Sequence, residues 1–318
     1  MIYTNPDKPG VPLSAVGLGG HEFLPDGRSR GFNEDFANAV KPGYKASGYG
    51  TATRRDLLRK ALERGINFLD VTIDPEKEAL GRNLKEIGTV DPVFIQTRPE
   101  GMGYGYDPGN RKMLDIAVLK AEVKRILALM GRERIDFLNF PILQSALDED
   151  PDYLAKTRDI VETLKGEGLI RFATSDNFSG EATYLAQIEA GCFDALVVNF
   201  SFADDAARGQ VLPRAAAAGM AVITRELFQK GQLFRMGAEA GLADTHLLAR
   251  LALKWNLQVP EVTTSIIGSR DVSELENCLS VLDSPQLSPE EEGLLDRLRQ
   301  TSVFREYAEP RRRKFLGG

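Results

Sequence analysis

Short apolar runs alternate with longer amphipathic segments along the whole chain, and this alternation predicts a repeated strand–helix unit. The apolar runs contain few polar interruptions, which is typical of parallel strands that are covered by helices. The predicted strands are residues 15–19, 68–72, 93–98, 137–142, 170–175, 195–200, 221–225 and 264–268. The predicted helices are residues 53–64, 76–87, 114–130, 152–165, 180–190, 204–218, 245–255 and 272–281.

Eight strand–helix units in a chain of 318 residues favour an α/β fold with a closed (β/α)8 barrel. A doubly wound open sheet is the alternative. Several predicted helices end at a glycine, as at Gly65, Gly88 and Gly131, which is typical of helix C-terminal caps. No change in composition marks a linker, so we predict a single domain over residues 1–318.

Two predicted loops that follow strands are candidates for function, because the ligand sites of barrels lie at the carboxyl ends of the strands. The first loop, residues 20–50, is long and rich in aromatic residues. Loops longer than roughly 15 residues in compact domains are commonly functional, so we predict an ordered lid. The second loop follows the third strand and places Tyr104 and Tyr106 between glycines.

Composition narrows the possible partners. The net charge of −6, with 27% charged and 42% hydrophobic residues, is typical of a globular protein and gives no basic footprint for nucleic acid or an anionic membrane. The basic run at residues 311–314 is interpreted as a solvated tail that could steer an anionic ligand. Two cysteines and two histidines argue against a disulfide framework or a His-rich metal site. No signal peptide or membrane-spanning segment is visible, so the expected location is cytoplasmic.

The stretch GINFLDVTIDPEKEALG, residues 65–81, carries the most specific pattern. It reads as a helix end, a buried strand, an acidic residue, a loop and the first turns of the next helix. Asp70 falls where the strand ends. A carboxylate in this position either caps the loop or takes part in catalysis, and both readings stay open on spacing alone.

This stretch resembles the aldo-keto reductases, whose second strand ends in a catalytic Asp and leads through a loop with a catalytic Tyr to a Glu-rich turn ending in Leu-Gly. Asp70 and the EKEALG ending match that pattern. The resemblance extends from VGLGG at residues 16–20 to the last helices, and it implies a TIM barrel of aldo-keto reductase type. It also implies hydride transfer from NADPH, with a Tyr as proton donor that a Lys and the Asp tune, and a His that orients the substrate.

Three of these four catalytic roles have no counterpart of the same kind in this chain. Pro75 occupies the expected Tyr position, and Arg98 replaces the Lys after Thr97. Arg98 keeps the positive charge but does not shuttle protons, because its pKa is too high. The fourth strand offers Pro141 or, in a shifted alignment, Asn139 where the resemblance implies a His.

The resemblance also implies a set of cofactor contacts. Ser175 and Asn177, separated by one residue, approximate the Ser-Asn pair that binds the nicotinamide carboxamide, and Phe200 would stack on the nicotinamide ring. Val197 stands at the position of a Gln that binds the same amide. The remaining candidates are a glycine in the loop over the pyrophosphate and a turn that would grip the adenosine phosphate: Gly231, Gly268, Ser269 and Arg270.

Three hypotheses follow for function. The first is an NADP(H)-binding oxidoreductase acting on a carbonyl or alcohol, in which Asp70 and Arg98 form an electrostatic pair. The candidates for its proton donor are Tyr44, Tyr49, Tyr104, Tyr106 and Glu76, of which Tyr104 and Glu76 are favoured because they lie just beyond strand ends. The second is a lyase or isomerase on the same barrel, in which the carboxylates Asp70, Asp74 and Glu76, with Arg98, bind and deprotonate an acidic or hydroxylated substrate. The third is a catalytically silent subunit that keeps a nucleotide pocket. In each, the expected ligand is a small molecule.

Overall fold

The computed structural model describes residues 1–88, 93–103 and 106–317. A two-stranded antiparallel hairpin of β1 (Tyr3–Thr4) and β2 (Leu13–Ser14) precedes a closed barrel of eight parallel strands. The barrel strands are β3 (Val16–Gly19), β4 (Phe68–Asp70), β5 (Phe94–Thr97), β6 (Ile135–Pro141), β7 (Ile170–Asp176), β8 (Ala195–Asn199), β9 (Ala221–Arg225) and β10 (Thr264–Ile267). They pair in chain order, and β10 closes the ring on β3. The predicted (β/α)8 barrel is therefore confirmed.

Helices surround the barrel and also occupy some of its loops. In chain order they are α1 (Phe36–Ala39), α2 (Ala52–Glu63), α3 (Asp74–Ile87), α4 (Arg111–Leu114), α5 (Ile116–Met130), α6 (Gln144–Glu149), α7 (Tyr153–Gly166), α8 (Glu181–Ala190), α9 (Val211–Ala217), α10 (Gln232–Glu239), α11 (Thr245–Leu257), α12 (Val272–Leu279), α13 (Pro289–Arg299) and α14 (Ser302–Phe315). Each of the eight predicted helices has a counterpart among them. The helix predicted over 204–218 begins only at Val211, after a 3-10 turn at Ala206–Arg208.

Six helices were not predicted from the sequence: α1, α4, α6, α10, α13 and α14. A signal for α13 was present, because Ser288 and Glu291 form a capping box in which each side chain accepts the backbone N–H of the other residue. The basic residues 311–314 lie in α14, so their interpretation as a tail was wrong. Arg311 lies 3.7 Å from Asp204, and Arg312 lies 3.4 Å from Asp205. Among the described residues, no helix is long and apolar enough to cross a membrane.

Aromatic side chains fill the barrel interior at the amino ends of its strands. The rings belong to Phe68, Phe94, Phe137 and Phe172, all of which are buried. Phe137 lies at the centre, with its ring centroid 4.8 Å from that of Phe172. Val11 and Leu13, from the hairpin segment, join the same cluster. This end of the barrel is thus packed with apolar groups, and polar chemistry is left to the carboxyl ends.

The loop over residues 20–50 is held by hydrogen bonds to itself and to α3. The Tyr49 hydroxyl donates to the carbonyl oxygen of Arg30 at 2.5 Å, and Glu22 Oε1 accepts from the Gly50 N–H at 2.7 Å. Asp74 Oδ2, in α3, accepts from the Gly43 N–H at 2.6 Å. The first two contacts close the loop on itself, and the third attaches it to the helix that follows Asp70.

Gly81 packs the middle of α3 closely against the end of α5. A Cβ atom at this position would lie 2.6 Å from the carbonyl carbon of Met130, a distance that forces the two helices apart. We expect Gly81→Ala to lower the free energy of unfolding by about 1–3 kcal/mol through overpacking. Gly293→Ala in α13 is the matched control, since a Cβ there meets no atom within 4 Å. The control should be neutral or stabilising in urea unfolding, and equal effects of the two substitutions would contradict the packing argument.

Candidate active site at the carboxyl ends of the strands

Asp70 lies at the carboxyl end of β4, as predicted, and faces other polar groups. Gln96 Nε2, on the neighbouring strand β5, donates a hydrogen bond of 2.8 Å to Asp70 Oδ1. Burial raises the pKa of Asp70 above its ordinary value, although this hydrogen bond and the charges of Arg225 and His21 act in the opposite direction. Asp70 is therefore a carboxyl group with an increased tendency to hold a proton, at the mouth of the barrel.

Glu76 occupies the first turn of α3 and is almost completely buried. Its Oε2 atom accepts hydrogen bonds from the backbone N–H groups of Thr72 at 2.9 Å and Ile73 at 3.4 Å. Its Oε1 atom lies 2.7 Å from Nδ1 of His21. Burial would raise the pKa of Glu76, but the charge and hydrogen bond of His21 and the two N–H groups lower it overall. Glu76 is thus an ionised partner of His21, contrary to its predicted role as the proton-donating acid.

His21 is the residue that the sequence analysis missed. It follows Gly20 directly after β3, so its position beyond the end of a barrel strand was the available signal. Its side chain is 34% exposed, and its ring centroid lies 5.0 Å from that of Phe32. Burial would lower the pKa of His21, but the charge of Glu76 and the hydrogen bond to it outweigh burial and raise the pKa. His21 is therefore charged over a wider pH range than a free histidine.

Arg98 follows β5 and extends beneath the first loop. Its guanidinium carbon lies 6.0 Å from the centroid of the Phe32 ring, and its Nε atom lies 3.9 Å from Oε1 of the buried Glu100. Lys77 Nζ also approaches Glu100 Oε1, at 3.1 Å. The ion pair recorded for Arg98 is thus with Glu100, and the predicted pairing with Asp70 stays a prediction. Tyr104, the other predicted proton donor, lies outside the described residues.

A second polar cluster links the ends of β7, β8 and β9. Arg225 donates to both carboxylate oxygens of Asp176, at 2.9 and 3.2 Å, and its Nε donates to Asn199 Oδ1 at 2.8 Å. Asp176 is fully buried and the Arg225 side chain is 18% exposed. The Phe178 ring centroid lies 4.8 Å from the guanidinium carbon. No role was predicted for these residues from the sequence, although Asp176, Asn199 and Arg225 are each the last residue of their strand.

Two of the residues predicted to contact the nicotinamide, Asn177 and Phe200, have side chains that contact other parts of the chain. Side chains alternate along a strand, and Ser175 is three positions after the interior residue Phe172, so its side chain points to the helix layer; its buried hydroxyl has no hydrogen-bond partner among the described residues. Asn177 Oδ1 accepts from two backbone N–H groups of its own loop, at 2.9 and 3.1 Å. Phe200 is fully buried, with its ring centroid 5.3 Å from that of Trp255. The predicted stacking role of Phe200 is therefore contradicted, because its ring is packed in the core.

The predicted phosphate-binding residues lie together between β10 and α12. The turn at Gly268 is in close contact with the first loop, since a Cβ atom there would lie 2.8 Å from the ring of Phe23. Ser269 is buried, and among the described residues its hydroxyl has no hydrogen-bond partner. Buried hydroxyls without partners are rare, so Ser269 is available to a ligand. Arg270 is exposed and bonds Glu274 through its backbone N–H and its Nε atom.

Gly231 also lies at the start of a helix, but in a different loop. It has a φ of +88° immediately before α10, a conformation that favours glycine. Nothing lies within 4 Å of a Cβ atom built there, so the conformation and not close packing explains this glycine. In the part of the chain that the structure describes, no group of three or more His, Cys, Asp and Glu side chains is arranged to hold a metal ion.

A closed parallel barrel with polar side chains at the carboxyl ends of its strands is the architecture of a barrel enzyme. The chain belongs to the aldo/keto reductase family, whose sequence model matches residues 43–244. The resemblance predicted from Asp70 and the EKEALG ending is thus confirmed, and family membership supports an oxidoreductase. No curated protein matches the chain by sequence.

Solved structures of aldo-keto reductases share the fold. A holo aldo-keto reductase from Bacillus halodurans superimposes with a TM-score of 0.68 at 18% identity, covering 94% of this chain and 96% of that one. A glycerol dehydrogenase from Gluconobacter oxydans gives a TM-score of 0.67 at 18% identity, covering 93% and 94%. An aldo-keto reductase from Klebsiella pneumoniae in complex with NADPH gives 0.61 at 18% identity, covering 94% and 95%.

Proposed function

We propose that the protein is an NADP(H)-dependent oxidoreductase that interconverts a small carbonyl compound and its alcohol through a non-standard proton relay. Family membership over residues 43–244 carries this proposal. The structurally similar protein from Klebsiella pneumoniae, described in complex with NADPH, supports the choice of cofactor. The polar mouth of the barrel, centred on Asp70 and Gln96, offers the place for the substrate carbonyl.

The residues between β10 and α12 fit the phosphate groups of such a cofactor. Ser269 has a buried hydroxyl without a partner in the described chain, and Arg270 brings a guanidinium to the start of a helix. Backbone N–H groups at helix N-termini and guanidinium groups both favour anions. The bound cofactor would supply the hydride, while Asp70 and Arg98 would set the charge around the reacting carbonyl.

The cofactor site is tested by fluorescence titration with NADPH and NADH. We expect Arg270→Ala to weaken NADPH binding about tenfold, the effect of losing one charge-assisted hydrogen bond. Arg299→Ala is the matched control, because Arg299 is also an exposed helical arginine paired with a nearby carboxylate, Asp296, at 2.8 Å. The control should bind NADPH like the wild type. Wild-type protein that binds neither nucleotide would overturn the proposed function.

One observation favours a second candidate, a lyase or isomerase on the same barrel. The ends of β7, β8 and β9, where the resemblance implies contacts to the nicotinamide, are joined by the Arg225 hydrogen bonds to Asp176 and Asn199. Together with Asp70 and the His21–Glu76 pair, they make an acid–base site that needs no hydride. Failure to bind either nucleotide in the same titration would select this candidate.

A further inference from the structure

The pair formed by His21 and Glu76 has the geometry of a positioned acid–base group. The 2.7 Å contact joins Nδ1 of His21 to Oε1 of Glu76. An ionised carboxylate only accepts hydrogen bonds, so Nδ1 carries the proton in this contact. The Nε2 atom is then the ring nitrogen left for exchange with a ligand, and it has no hydrogen-bond partner among the described residues.

Glu76 is fixed by the helix that carries it. Its second oxygen is held by the backbone N–H groups of Thr72 and Ile73, at the N-terminus of α3. The side chain is 1% exposed, so it cannot turn towards solvent without breaking three hydrogen bonds. A carboxylate that is held in this way fixes the tautomer and the ring orientation of the histidine.

The backbone places His21 beside the proposed reaction centre, because Gly19 pairs with Asp70 across β3 and β4, and a Cβ atom on Gly20 would lie 2.7 Å from the carbonyl oxygen of Asp70. The charged groups that act on its ring are Glu76 from α3, Asp70 from the end of β4 and Arg98 from the loop after β5. The two carboxylates favour the charged imidazolium and Arg98 opposes it. Phe32 covers one side of the ring, while the partial exposure of the side chain leaves a route for protons from water.

We propose that His21 is the proton donor of the reductase reaction and that Glu76 is its positioning residue. This inference rests on the proposed function, and it assigns the role for which neither Pro75 nor the ionised Glu76 is suited. It also explains how a chain with Pro75 in place of a tyrosine retains an acid at the mouth of the barrel.

A bound reduced nicotinamide would supply the hydride: a C–H bond of its ring would break, a C–H bond would form at the carbonyl carbon as the C=O π bond opens, and the cofactor would be oxidised. An O–H bond forms at the carbonyl oxygen as the Nε2–H bond of His21 breaks, and the neutral imidazole keeps its Nδ1–H···Glu76 hydrogen bond. Water then returns a proton to Nε2 through the exposed edge of the ring.

The first test compares reduction of benzaldehyde and dihydroxyacetone by NADPH in His21→Gln and wild-type protein. We expect the kcat of His21→Gln to fall about a hundredfold, with NADPH binding measured by fluorescence unchanged. The matched control is His246→Gln, which removes the other histidine of the chain and should keep wild-type turnover. Reduction of both compounds by His21→Gln at the wild-type rate would overturn the inference and leave the proposed function standing.

The second test uses Glu76→Gln, whose positioning role predicts a change in pH dependence. The donor must be protonated, so kcat/KM should be high below the pKa of His21 and should fall as the pH rises through it. Because Glu76 raises that pKa, the fall should move to lower pH in Glu76→Gln. A glutamine that merely disturbed the fold would lower the rate without moving the profile.

Nuclear magnetic resonance gives a readout that does not depend on turnover. The protein has two histidines, so ring-15N labelling yields two titration curves, which His21→Gln and His246→Gln assign. We expect the His21 curve to move to lower pH in Glu76→Gln while the His246 curve stays in place. An unmoved His21 curve would overturn the pairing. Wild-type protein that reduces neither carbonyl probe would overturn the proposed function and this inference together.

Discussion

Replacing Lys77 by methionine is expected to lower the free energy of unfolding by about 3–5 kcal/mol, the cost of breaking a buried ion pair by removing one partner. The Lys77 side chain is fully buried in α3. Its Nζ atom lies 3.1 Å from Oε1 of Glu100 and 3.4 Å from Oδ1 of Asp74. Without Lys77, Glu100 becomes a buried carboxylate with too little compensating charge.

The two carboxylates differ in what remains to them. Asp74 keeps two hydrogen bonds from Arg125, at 2.6 and 2.9 Å. Glu100 keeps only the more distant charge of Arg98 as its recorded cationic partner. Most of the decrease in the free energy of unfolding should therefore come from the uncompensated charge of Glu100. The double variant Lys77→Met with Glu100→Gln should recover most of the stability.

The effect should also depend on pH. Burial already raises the pKa of Glu100, although Lys77 and Arg98 oppose the rise. Removing Lys77 raises the pKa further, and a protonated Glu100 costs less to bury. The destabilisation by Lys77→Met should thus be largest at about pH 8 and shrink towards about pH 5, as Glu100 takes up a proton.

Urea unfolding followed by circular dichroism measures these differences. Lys124→Met is the matched control, because Lys124 lies on the neighbouring helix α5 with an exposed side chain. The urea concentration at the unfolding midpoint of Lys124→Met should equal that of the wild type. If Lys77→Met unfolds at the same urea concentration as this control, the buried charge network does not have the stabilising role assigned to it.

Arg225→Met is expected to produce a loss of similar size, about 3–5 kcal/mol, and to damage the active site as well. Asp176 is fully buried and accepts two hydrogen bonds from Arg225. Removing the guanidinium breaks both of these hydrogen bonds and takes a positive charge away from the buried carboxylate. It also removes a positive charge that lowers the pKa of Asp70, so the pKa of Asp70 should rise further.

A double variant separates the two consequences. Adding Asp176→Asn to Arg225→Met removes the buried negative charge, and the two substitutions should show a coupling of about 1–3 kcal/mol. Stability should then recover while turnover stays low, because the charge at the barrel mouth is still missing. Arg214→Met is the control, since its ion pair with Glu189 joins two highly exposed side chains, and it should leave unfolding unchanged. Additive effects of the two mouth substitutions would contradict the pairing.

Two groups of charged side chains lie at the mouth of the barrel. One group is His21 with Glu76 beside Asp70, and the other is Arg225 with Asp176. The first lies at the ends of the early strands and the second at the ends of later ones. The proposed chemistry assigns proton transfer to the first group and charge control to the second.

The sequence by itself determined the barrel and the position of Asp70. Strand 221–225 was predicted to the residue, and the other seven barrel strands were predicted to within one or two residues at either end. Periodicity, helix caps and strand-end position are local properties, written into contiguous residues. For the same reason, the resemblance carried by the EKEALG ending identified the family before any contact was known.

Only the tertiary structure decided which polar groups meet. His21 and Glu76 are 55 positions apart, and Asp176 and Arg225 are 49 apart, so no local pattern pairs them. Closing eight strands into a ring brings these distant strand ends to one mouth, and burial then selects which charges must be compensated. In the folded chain the Phe200 ring is buried in the core against Trp255, and the buried Glu76 carboxylate is paired with His21. Sequence specified the scaffold because its rules are local, whereas the site depends on contacts that exist only after the barrel has closed.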